Sequence, residues 1–508
     1  MELTLQDAIR LALENSNDIN VARAARDVAA LDVAAAQGVW DPLFQPRAFS
    51  EHRVTPVASI IGGGANGSTE QNIVTGDLAV NGLTPWGGGN YSVGFNSTRL
   101  TTDNQFVTLN PQFPSSLVIN LRQPLLRGFR IDDNRRRLQI ARRSVGLSDA
   151  QFARSVTALV AGVERAYWDL AFALRNQDVQ ARALEQARTQ TASNRRQVEQ
   201  GVLAPIDVVE ADTQVAIFEQ NLAQAQEAVA RTETALKTLL ASEWTSPLWG
   251  RALQPATPLE QATPALVYAE AIRAALAARP EVDEIEAAVE INEVNQRYFA
   301  DLARPQVDVI GSYSVSGLAG QLAERDLSFF GGGNLGTGIP PVLIGGYDDS
   351  LRNAFNARFP TVRVDLAITL PFTNRTAEAN VARTAVERRQ LSLQRQQVEQ
   401  LIAADVRNAI DAIRTGEARV RAAAAAQSLA RQQYESEERR FQAGLTTLFF
   451  VLQRQTALVA AEGRELQART DFNKAISDFR RVTATTLAAH GVDVVSAGQS
   501  NAPINNPR

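Results

Sequence analysis

The sequence predicts an α+β membrane protein built in duplicate: helix, strands, a very long helix, a tight turn, a helix. Its strands are expected to form a twelve-stranded barrel shared by three copies, and its helices a long coiled-coil tunnel. Three observations predict this. Between Thr361 and Pro371 apolar and polar residues alternate strictly. Very long helical stretches, free of proline, follow the strand regions. The second half of the chain repeats the order of the first.

In the strand, Val362, Val364, Leu366, Ile368 and Leu370 fall on one face, and Arg363, Asp365, Ala367 and Thr369 on the other. A half-buried strand of a soluble sheet would alternate in the same way. A lone amphipathic strand between long helices, however, has no soluble sheet to join. The pattern therefore predicts a membrane-spanning strand, with lipid outside and a polar lumen inside.

Composition narrows the function. Among 508 residues, 51 are basic and 55 acidic, a net charge of −4, so no basic face points to nucleic acid. There is no cysteine, which excludes disulfides, thiolate metal sites and cysteine catalysis. His52 and His490 are too few and too separated for a metal site or a catalytic triad, so no catalytic, cofactor or metal constellation is expected. No apolar run is long enough for a transmembrane helix, which leaves alternating barrel strands untouched. Met1, the only methionine, leads directly into a helix pattern. It reads as a start placed before a mature fragment, and a leaderless cytosolic chain would look identical.

In order, Thr4 and Asp7 open a first helix as a capping box, which runs to about Gln37. Residues 43–124 turn to Gly, Asn, Thr, Ser and aromatics. Their clearest strands are Asp77–Leu83, Tyr91–Thr98 and Leu117–Leu125, with a candidate short hairpin around Trp86. Residues 131–200, if helical, measure about 105 Å. Gly201 then ends a helix and Pro205 starts the next. That second helix carries a heptad (Val208, Val215, Leu222, Val229, Leu236) that demands a partner helix. Residues 243–264, rich in proline, read as a linker. The first repeat is thus 1–242, with strands within 43–124 and tunnel helices over 131–242.

The second repeat, 265–488, has strands within 305–371 and helices over 374–488, and a tail of 489–508 is expected to be disordered. Ala271-Ile272 and Ala275-Leu276 match Ala8-Ile9 and Ala12-Leu13; Pro371 matches Pro124; Gly444 matches Gly201. A Gly-rich loop is expected over Gly317–Pro360. The strands number about four per chain, too few to close a barrel, and free edges are intolerable in lipid. Three copies give about twelve, the homotrimer.

On the duplicated opener (Leu3–Ile19 and Val267–Val282), the strand ends Gln123-Pro124-Leu125 and Leu370-Pro371-Phe372, and the two glycine tips, nearly the whole chain resembles the TolC-family outer-membrane efflux proteins. The resemblance implies a homotrimeric outer-membrane barrel over a periplasmic helical tunnel. It also implies no catalysis, with a periplasmic adaptor and an inner-membrane pump driving export by efflux or type I secretion. Family members often carry acids six and nine residues past the second turn glycine. Here Phe450 and Gln453 stand there, and acids occur past Gly201 instead, as Asp207 and Glu210. These acids are tunnel-mouth candidates, although the helix macrodipole also favours acids in a first turn. Phe450 is either an apolar constriction or coiled-coil packing.

The tips Gly201, Val202, Leu203 and Gly444, Leu445, Thr446 are candidate adaptor-docking points, or plain C-caps. Arg122, Arg363 and Asp365 are expected to face the barrel lumen, and Trp40, Trp86 and Phe372 to form aromatic girdles in outer-membrane lipid. The competing reading is a soluble coiled-coil scaffold with a β-rich head.

Overall fold

The computed structural model describes residues 1–58, 62–64, 67–201, 203–258, 263–323 and 338–492. The first half runs β1 (Glu2–Leu3), α1 (Leu5–Asn15), α2 (Asn17–Gln37), β2 (Leu43–Pro56), β3 (Ser68–Leu83), β4 (Asn90–Thr102), β5 (Leu109–Pro124), α3 (Asp133–Glu199) and α4 (Pro205–Leu240). After β6 (Gln254–Pro255), the second half runs α5 (Tyr268–Ala278), α6 (Pro280–Leu302), β7 (Gln306–Leu322), α7 (Tyr347–Phe355), β8 (Phe359–Thr369), α8 (Arg375–Gln442), α9 (Leu448–Val482) and α10 (Thr486–Ala489). Two compact units result, one of residues 1–30, 144–289 and 389–508, the other of 31–143 and 290–388. Each unit draws on both halves of the sequence.

In the helical unit, Thr4 caps α1 as its sequence predicts. Its Oγ1 accepts the Asp7 N–H at 3.1 Å and donates to the Asp7 carboxylate at 2.6 Å. The single opening helix expected through Gln37 is two helices, broken at Ser16, where Asn15-Ser16-Asn17 favours caps over helix interior. The two largest of the unit's hydrophobic clusters fall one per half. Leu3, Leu5, Ile9, Val160, Tyr167, Trp168, Leu236 and Leu240 make the first; Ala275, Ile402, Val406, Ile410, Ile413, Ile476 and Val482 make the second. The duplicated opener supplies matching members to each, Ala8 and Ala12 in one, Ala271 and Ala275 in the other. Part of the 243–264 segment is ordered against the N-terminus: β6 pairs with β1 in parallel, and Thr257 N–H bonds the buried Tyr167 hydroxyl at 2.9 Å. Of the expected C-terminal tail, Ala489 to Val492 are placed, and residues 493–508 lie outside the described residues.

The other unit is a six-stranded antiparallel sheet in the order β2-β3-β4-β5-β7-β8. This corrects the expected four strands per chain; three copies would bring eighteen strands, not twelve. The strands are long, 11 to 17 residues. Short strands were expected because a barrel strand shows only every second residue as apolar, and the intervening Gly, Thr and Asn read as turn. The loop expected over Gly317–Pro360 is also corrected. β7 extends to Leu322, and α7 packs back on β5 and β7. The part of that segment spanning 324–337 lies outside the described residues.

The register sorts every strand residue onto one of two faces. Phe44, Leu78, Val80, Val93, Phe95, Leu117, Ile119, Leu121, Val309, Tyr313, Val362, Val364, Leu366 and Ile368 share one. The other carries Gln45, Arg47, Asp77, Asn81, Ser92, Asn96, Ser116, Asn120, Arg122, Ser312, Ser314, Arg363 and Asp365. Ser316 lies opposite Phe359, the first residue of β8, so β7 is a sheet edge from Gly317 onward. The α7 segment covers that edge: Gly345 N–H donates to Gly320 O at 3.0 Å and Asn353 Nδ2 to Leu318 O at 3.0 Å.

Candidate pore strands and helix tips

The sheet brings the three predicted lumen residues together. Arg122 lies opposite Ile310 and Asp365 lies opposite the same Ile310, so both point to one face, with Arg363 two residues along it. Arg363 pairs with Asp365 at 2.8 Å. Arg122 reaches Asp308 on β7. Its Nη2 and Nε donate to Oδ2 at 2.6 and 3.1 Å, and Gln306 Nε2 donates to the same oxygen at 2.8 Å. Among the described strand residues this face holds four arginines (Arg47, Arg53, Arg122, Arg363) and four acids (Glu51, Asp77, Asp308, Asp365). It is polar without being of one sign.

The opposite face carries the exposed apolar stripe; Glu70, Arg99 and His52 lie on it toward the end away from Leu43, and α7 covers part of it through Phe355 on Phe95 and Ser350 on Ser115. Val362, Val364 and Leu366 are 70, 73 and 62% exposed. A soluble head would have to bury such a stripe, at about 1.5–3 kcal/mol for each side chain left in water. The edges β2 and β8 carry unpaired backbone groups that in lipid cost several kcal/mol each. Trp86, in the β3–β4 turn, and Phe372, just past β8, are exposed, and Trp40 is half-buried.

At the helix tips, Gly201 and Gly444 both adopt the left-handed conformation, with φ of 76° and 73°. Gly201 N–H bonds Val198 O and Gly444 N–H bonds Phe441 O, each at 2.9 Å. Leu445 is exposed, Thr446 and Leu203 are half-buried, and Val202 lies outside the described residues. Asp207 accepts the Ala204 N–H at 3.0 Å, so it serves as a helix cap. Glu210, Phe449 and Gln453 line one groove between α4 and α9, while Phe450 stands beside Phe449, ring centroids 5.6 Å apart. Glu210 past the first tip and Gln453 past the second are therefore neighbours in the helical unit, which their separation in sequence hides.

The Outer membrane efflux protein family matches residues 90–242, which span β4, β5, α3 and α4. Over that segment the chain is similar to an outer membrane efflux protein domain. The fold agrees. The outer-membrane channel OprN superposes with a TM-score of 0.65 over 95% of this chain and 90% of its own, at 16% identity. The Campylobacter jejuni CmeC outer membrane channel gives 0.62 over 96% and 90%, at 14% identity. The Vibrio cholerae outer membrane protein VceC gives 0.62 over 94% and 95%, at 15% identity. No curated protein matches the sequence. These channels share with this chain a fold that holds the strand region and the helices together.

Proposed function

We propose that three copies of this chain form a passive export conduit of the outer membrane. The sheets would share one barrel, and the helices would form a periplasmic tunnel coupled to an adaptor and an inner-membrane pump. The observation that carries the reading is the two-faced sheet: an exposed apolar stripe on one side, balanced charge and amides on the other, and a free strand at each edge. Lipid satisfies the first, a water-filled lumen the second, and further copies the third. The repeats are 1–242 and 265–488, joined by 243–264. Arg122, Arg363 and Asp365 line the lumen. Gly201, Leu203, Gly444, Leu445 and Thr446 meet the adaptor, and Asp207, Glu210, Phe450 and Gln453 lie near the tunnel mouth.

The test is expression behind a signal peptide in a bacterium lacking its own channel. The protein should fractionate with the outer membrane and restore export when its adaptor and pump are supplied. Recovery of a detergent-free monomer in the soluble fraction would sink the reading.

A further inference from the structure

The strand count sets the size of the pore. β2 and β8 are the two edges of the sheet, 14 and 11 residues long. β2 begins at the end where the sheet meets the helices, since Leu43 follows α2 closely, and β8 finishes at that same end, with Thr369 opposite Gln306. Laid side by side in neighbouring copies, the two edges run antiparallel, like every other pair in the sheet. Their faces also continue: Phe44, Pro46 and Ala48 extend the apolar side of Val364, Leu366 and Ile368, and Gln45 and Arg47 extend the polar side of Arg363 and Asp365. An edge of one kind meeting an edge of another is a head-to-tail contact, the kind that closes into a ring when the rotation between copies closes.

We infer that β2 of each copy pairs with β8 of the next, so that three copies close an eighteen-stranded barrel. This rests on the trimeric conduit proposed above and adds its strand number, its pairing surface and its size. Barrel diameter grows roughly linearly with strand number, so the lumen is about one and a half times as wide as a twelve-stranded one. At that strand number a barrel leaves an open aqueous channel. With four arginines balanced by four acids on its inner face, the barrel passes bulky solutes without selecting for charge.

The chain has no cysteine, so introduced pairs report alone. Gln45→Cys on β2 is combined in turn with Arg363→Cys, Asp365→Cys and Ala367→Cys on β8, and isolated outer membranes are oxidised. One combination should give a non-reducing ladder that ends at three chains. A ladder ending at two chains, a twelve-stranded ring, would overturn the inference, as would the absence of any link between chains.

A second variant lacks residues 43–83. β4 starts at the same end as β2 and runs the same way, and the deletion leaves every pairing among β4, β5, β7 and β8 intact. In planar bilayers its pore should conduct about half as well as the full chain and exclude smaller polyethylene glycols. Equal conductance and equal exclusion would refute the eighteen-stranded barrel. The ladder needs no pump or cargo. A ring that closes but exports nothing therefore rejects the export reading and leaves this one standing.

Discussion

Arginine scanning of β8 separates lipid from lumen with a large signal. Val364 is the middle residue of the strand, 73% exposed, and lies opposite Gly311 on the apolar face. Arginine there sits near the bilayer midplane, at a cost of about 2–4 kcal/mol per copy. In the proposed barrel each of three copies carries the change, so the assembled pore would lose about 6–12 kcal/mol, more than four powers of ten in the assembly equilibrium at the lower bound. Ala367 lies three residues along, on the polar face, directly opposite Asp308. Asp308 Oδ1 is buried with no hydrogen-bond partner, so Ala367→Arg places a guanidinium across from an unsatisfied carboxylate oxygen. A cross-strand pair of opposite charge contributes about 0.2–1 kcal/mol in favour. The assay is the heat-sensitive trimer band in the outer-membrane fraction, relative to total protein. Val364→Arg should abolish it and Ala367→Arg should leave it at wild-type level. Equal trimer yields from the two variants would refute the assignment of faces.

Four further outcomes are expected. Gly444→Val has open space for its Cβ but must hold a φ of 73°, at about 1–2 kcal/mol confined to the tip; it should reduce adaptor co-purification and export while trimer yield is kept. Gly317→Ala puts a Cβ 2.2 Å from Ser350 O and 2.8 Å from Ala354 N, so α7 should lift from the sheet at about 1–3 kcal/mol, read as faster proteolysis within 338–358. His490→Ala strips the buried Glu164 carboxylate of its Nε2 partner at 2.5 Å and should destabilise the helical unit by about 3–5 kcal/mol, whereas the double variant with Glu164→Gln recovers much of the loss in thermal melts. Burial pushes the Glu281 carboxyl up, but the hydrogen bonds and charge of Arg279 outweigh it and hold the group below its usual range. Its contribution is therefore full above an unfolded value of about 4.3 and disappears as pH falls through the lower folded value, so Glu281→Gln should flatten the acid side of the melting profile.

The helices were legible because their signals are local. Thr4 and Asp7 cap α1, Gly201 and Gly444 end α3 and α8, and the matched Ala8/Ala12 and Ala271/Ala275 pairs enter matched cores. Arg122, Arg363 and Asp365 share a face because strand alternation alone decides it. The partnership of Arg122 with Asp308 was not legible, since it depends on which strand neighbours β5, a pairing 186 residues away. The Glu164–His490 contact joins residues 326 apart and has no sequence signal. β2 was hidden by Pro46 and Pro56 together with three charged side chains, Arg47, Glu51 and Arg53, residue types scarce in soluble strands but admissible on an edge that faces a water-filled lumen.

The two halves of the duplication differ in strand number, and geometry limits how they can differ. The second half leaves α6, crosses as β7, returns as β8 and enters α8, so both helices join the sheet at one end. The first half must likewise leave α2 and enter α3 at that end, with Leu43 and Pro124 as its attachment points. An odd number of strands would deliver the chain to the far end of the sheet and strand α3 there. It would also make the two edges run parallel in the proposed copy-to-copy junction, beside a sheet whose pairs are all antiparallel. Expansion can therefore come only in hairpins. The first half has taken one: four strands against two, every one with its apolar set on the same face. A barrel built on this plan would widen in steps of one hairpin per copy without altering a helix.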